Sequence, residues 1–114
     1  MPLTLHPDLM SAAYDMLRTL PPFKRYKLPE ADEIVFRVMA HPTTSGECWV
    51  TYDGRYHIDA SMKCVGHLDT LVRTMGHEMI HLKQLLNGGE ATHNEWFYAE
   101  YAKAAKNCGW DPRD

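Results

Sequence analysis

The sequence predicts an α+β domain in which helices pack on one antiparallel or mixed three-stranded sheet. Three observations carry this reading. Apolar residues recur at helical spacing near the N-terminus, three β-rich runs follow, and helical spacing then returns and persists to the end. At 114 residues, with no repeat or linker, the chain is expected to form one domain, residues 1–114, at most two layers deep.

The first helix is predicted from Asp8 to Leu20, because Leu9, Ala12, Ala13, Met16, Leu17 and Leu20 share a face and Pro21-Pro22 stops it. Glu33 to Ala40, rich in β-branched and aromatic residues, reads as a strand. Trp49 to Asp53 and Arg55 to Ala60 read as a hairpin, with Asp53-Gly54 supplying a type I′ turn. From Leu68, apolar residues at 71, 72, 75, 79, 82, 85 and 86 predict a long helix that ends at Asn87-Gly88-Gly89. A last helix is expected from His93 or Asn94 to Asn107, closed by Gly109 and Pro112.

Composition excludes several classes. No run of about 18 apolar residues exists to cross a membrane, and Met1 to Asp15 lacks the pattern of a secretory signal. A soluble, cytoplasmic protein is the expectation. A net charge of −3, with basic residues scattered apart from Lys24, Arg25 and Lys27, argues against direct nucleic-acid binding. That small cluster reads as a solvated loop. Cys48, Cys64 and Cys108 are odd in number and far apart, which disfavours a disulfide framework or a cysteine zinc site. They read as reduced, mostly buried thiols.

The long helix contains His77-Glu78-Met79-Ile80-His81, an H-E-x-x-H sequence. Residues four apart share a helix face, so two imidazoles can converge on one zinc ion while Glu78 serves as general acid-base on an activated water. The third protein ligand is expected to be His93, carried back by the glycine turn, with Glu95 and Glu100 as rivals. The bland alternative makes both histidines surface residues and leaves Glu78 solvated or paired with Lys83. Elsewhere, His57 reads as a strand histidine, with a place at the border of a cleft as the weaker choice, and His6, His41 and His67 are not expected to ligate. Trp96 and Phe97 read as core on the last helix; Tyr98 and Tyr101 read as core there too, with an approach to an oxyanion as the weaker choice.

His77 to Leu82 (H-E-M-I-H-L), a glycine turn, and His93 to Phe97 (H-N-E-W-F) together resemble the SprT-like zinc metallopeptidases, minimal zincins of the gluzincin type. The resemblance covers roughly Tyr56 to Gly109. It implies a small zincin-like fold, His77, His81 and His93 as zinc ligands, and Glu78 as the catalytic residue. It departs at Asn94, where the family usually has glycine, and no zinc ribbon or DNA-binding extension follows in this sequence. The expected activity is hydrolysis of protein or peptide substrates, with a substrate strand added along Arg55 to Ala60 as the exposed sheet edge. The alternative is a catalytically inactive binding or regulatory protein of the same fold, in which zinc is structural and has four protein ligands.

Overall fold

A computed structural model describes residues 2–113. It has the expected α+β composition, with three helices and a three-stranded mixed sheet. Helix α1 spans Pro7–Arg18 and α2 spans Leu68–Leu86, while α3 covers Glu95–Cys108. Strands β1 (Ile34–Met39), β2 (Gly46–Val50) and β3 (Tyr56–Ser61) form the sheet. Short 3₁₀ turns at Phe23–Arg25 and Ala31–Glu33 lead from α1 to β1.

Each helix starts and stops for a local reason. At α1, Pro7 stands in the first turn, where its missing N–H costs nothing, and the preceding His6 caps the helix by accepting from the Asp8 amide at 3.0 Å. At the C-terminal end of α2, Gly88 takes a φ of 82°. Its amide donates to Leu85 O and that of Gly89 to Gln84 O, both at 3.0 Å. This is a Schellman closure, which favours glycine because a Cβ is disfavoured at positive φ. At α3, Asn94 is the N-cap, and its Oδ1 accepts from the Phe97 amide at 2.9 Å. The helix therefore begins just past the expected position, with Asn94 in a capping role.

The strand order is β1-β3-β2, with β1 parallel and β2 antiparallel to β3. This corrects the expected edge: Arg55 to Ala60 belongs to the central strand, because β1 pairs along its other side. Having Ile58, Asp59, Ala60 and Ser61 all buried fits that central position. The outer strands are β1 and β2. The hairpin turn also differs from a type I′ turn. Gly54 has positive φ and Asp53 does not. The Gly54 amide donates to Thr51 O, and the Thr51 amide to Arg55 O, giving a longer loop with a single left-handed glycine.

One sheet face packs on the helices. Tyr14 of α1 meets Phe36 of β1 edge-on at 5.5 Å. α2 packs on β2 and β3 and also on α1 and α3. The core gathers Met10, Tyr14 and Leu17 with Ile58, Ala60, Leu71, Met75, Met79, Ile80 and Leu82. Burying a large aliphatic side chain of this kind contributes about 1.5–3 kcal/mol. On the opposite face, Asp59 accepts from Arg37 Nε and Nη2 (3.1 and 3.0 Å) and from Trp49 Nε1 (3.1 Å). Those three donors satisfy a carboxylate that is only 2% exposed.

To pass from β1 to β2, the loop over residues 40–45 crosses the end of β3. Ser61 anchors it there, its amide donating to Ser45 O (2.8 Å) and its hydroxyl to His41 O (2.5 Å). The crossing brings Thr44, Ser45 and Gly46 toward α2, where the histidine motif lies. Among the described residues, no helix is long and apolar enough to cross a membrane. Of the cysteines, all free, only Cys48 is buried; Cys64 and Cys108 are half-buried, correcting the expectation that most are buried.

Candidate metal centre

His77 and His81 lie one turn apart on α2, and His93 stands just before the α3 cap. The structure brings all three together. Nε2 of His77 is 3.1 Å from Nε2 of His93, and Nε2 of His81 is 3.2 Å from each of the other two. Three nitrogens each bound to a tetrahedral ion at 2.0–2.1 Å stand about 3.3 Å from one another. The observed triangle matches that spacing, so the three residues can hold one metal ion.

The donor chemistry also fits. Lone pairs bind a metal, so the imidazoles must be neutral. Burial holds the His77 pKa down to about 4, and repulsion from His81, His93 and Arg73 adds to this. Burial likewise lowers that of His81, against an opposing hydrogen bond to Gln84. That bond joins His81 Nδ1 and Gln84 Oε1 at 2.7 Å.

Phe97 supports all three rings from beneath. It is 1% exposed, stacks on His81 at 4.6 Å, and meets His77 and His93 edge-on at 4.8 Å. The apolar floor restricts ring rotation and excludes water on that side. Sequence reading placed Phe97 in the core, which is correct but incomplete.

Glu78 points to the sheet side of α2. It is 4% exposed, which removes the solvated reading. It does not pair with Lys83, whose Nζ donates instead to Tyr26 O at 3.0 Å. Among the described residues the Glu78 carboxylate has no hydrogen-bond or ion-pair partner, and it lines a cavity of about 310 Å³ with His77, His93, Thr74, Gly46 and Arg73. Burial pushes its pKa up to about 8, with the nearby carboxylates of Glu47 and Asp59 contributing in the same direction. A carboxylate raised in this way inside a cleft is the arrangement expected of a proton-transfer group.

The rival ligands are elsewhere. Glu95 is exposed in the first turn of α3, outside the cluster. Glu100 accepts from Tyr26 Oη and from Lys103 Nζ, both at 2.7 Å. His57 stacks on Trp49 at 4.1 Å on the outer sheet face. His41 Nδ1 accepts from the Thr43 and Thr44 amides. Two residues expected in the core are exposed: Trp96 at 39% and Tyr98 at 59%. Tyr101 is buried and lines the cavity beside His77.

Sequence reading missed Gly46 and Gln84. Nothing local marks Gly46. Gln84 follows His81 by three positions and so shares its helix face, a signal the sequence does contain. No protein-family model, curated protein or solved structure matches the chain.

Proposed function

We propose that this protein is a zinc-dependent endopeptidase of the SprT-like zincin kind, with His77, His81 and His93 holding the metal and Glu78 moving the proton. One observation carries the proposal. Three histidine nitrogens form a triangle at 3.1–3.2 Å, and two of its members, His77 and His93, line the same cavity as the unpartnered, buried carboxylate of Glu78. Among the described residues the metal-binding group has three donors and no fourth, which favours a catalytic site over a closed structural one.

A divalent ion held there supplies Lewis acidity, polarising a substrate carbonyl and acidifying water toward neutral pH. Glu78 takes a proton from water as the water oxygen adds to the peptide carbonyl carbon. It then delivers that proton to the amide nitrogen as the C–N bond breaks, leaving one carboxylic acid and one amine. An extended peptide fits along β2, the outer strand whose first residue, Gly46, lines the cavity. Main-chain bonds to that edge would give affinity without demanding a particular side chain.

The test is Glu78→Gln, which removes the acid-base function while leaving the imidazoles intact. Against a denatured-protein or peptide-library substrate, hydrolysis should fall by roughly 10²–10⁴-fold with zinc content unchanged. Turnover equal to that of the parent would overturn the proposed chemistry.

A further inference from the structure

Gln84 is 7% exposed and lies one turn beyond the motif. Its amide is committed at both ends. Nε2 donates to Thr92 O at 3.0 Å and to Asn94 Oδ1 at 3.4 Å. Oε1 accepts from the Thr92 amide at 3.2 Å. The Thr92 backbone thus offers a donor to one end and an acceptor to the other, which fixes which way the amide faces. The atom turned to His81 is therefore an acceptor, 2.7 Å from Nδ1.

An acceptor at that distance requires a proton on Nδ1. In a neutral imidazole the other nitrogen, Nε2, then carries the bare lone pair, and Nε2 is the atom facing His77 and His93. The same side chain grips residues 92 and 94, which flank His93. Gln84 thus selects the ligating tautomer of the second histidine and ties down the segment that presents the third.

We infer that Gln84 is a positioning residue for the metal centre, setting the His81 tautomer and the place of His93 through a single side-chain amide. The inference rests on the metal-centre reading above, but part of its test needs no metal.

Long-range ¹H–¹⁵N NMR of the metal-free wild type should show His81 protonated at Nδ1. Gln84→Leu removes both hydrogen-bonding ends, and should leave a mixed or Nε2-protonated ring and a Thr92 amide that exchanges faster with solvent. In competition with a chromophoric chelator, Zn²⁺ affinity of Gln84→Leu should fall by about 10–100-fold. Gln84→Glu keeps the acceptor and loses the donor, so it should retain the tautomer and recover part of the affinity. If Gln84→Leu does not fold, the wild-type tautomer and the Gln84→Glu titration decide the matter. A wild type protonated at Nε2 of His81, or a folded Gln84→Leu with parental tautomer and zinc affinity, overturns the inference. A wild type that binds no zinc overturns the metal-centre reading instead.

Discussion

Gly46 sits against Glu78 so closely that a Cβ at residue 46 would stand 3.1 Å from Glu78 Oε2. It would also lie 2.9 Å from Thr74 Cγ2 and 3.0 Å from the Asp59 carbonyl oxygen. The first strand residue beside the cavity must therefore lack a side chain, for reasons of space.

Gly46→Ala should destabilise the fold by about 1–3 kcal/mol, the usual cost of overpacking, and displace Glu78 enough to slow the hydrolysis proposed above. Thr74→Ser removes the methyl that clashes, though the backbone oxygen of Asp59 remains. Adding it to Gly46→Ala should recover part of the lost stability. A urea-denaturation cycle over the wild type, the two single variants and the double variant measures the coupling, and strict additivity would contradict it.

The ring of Phe97 should matter to both the fold and the metal. Phe97→Ala leaves a cavity under three histidines and should cost about 3–5 kcal/mol. Phe97→Leu fills more of the space but loses the flat contact with His81. It should fold, with zinc affinity reduced on the order of 10-fold, in the range seen when ligand orientation is loosened. Chelator competition on Phe97→Leu checks this, and parental affinity would show that the floor is only packing.

Acid should weaken the contact between α3 and the segment around Tyr26. Burial alone would raise the Glu100 carboxyl, but the hydrogen bonds from Lys103 and Tyr26 outweigh it and hold the pKa below the ordinary glutamate value. A carboxyl with a depressed folded pKa contributes stability in full above its unfolded pKa. That contribution disappears as pH falls through the folded value. Thermal unfolding across pH 7 to about pH 3 should show this loss beginning near the ordinary glutamate pKa. Glu100→Gln should flatten that part of the profile and cost about 1.5–3 kcal/mol at neutral pH. An unchanged acid slope in Glu100→Gln would remove Glu100 from the account.

Much of the fold was legible because the signals are local. Helical spacing fixed α2, and Gly88-Gly89 marked its end, since only a left-handed residue closes the helix there. The H-E-x-x-H spacing alone brought two imidazoles to one face. The sheet order was less accessible. A chain with three strands can return on either side of the hairpin, and no local feature of Glu33 to Ala40 says that it pairs with β3 in parallel. The expected edge strand was wrong for that reason. Gly46 and Gln84 act through residues distant in sequence, so their roles depend on tertiary contacts. Trp96 and Phe97 are adjacent, and helical spacing buries only Phe97.

The central claim is that His77, His81 and His93 together hold one metal ion. Metal content per chain, measured by plasma mass spectrometry after exposure to zinc and removal of excess, tests it most directly with His93→Ala beside the wild type. Close to one zinc per wild-type chain and a large loss in His93→Ala are expected, with both proteins folded. Equal zinc in the two proteins, or none in the wild type, would contradict it.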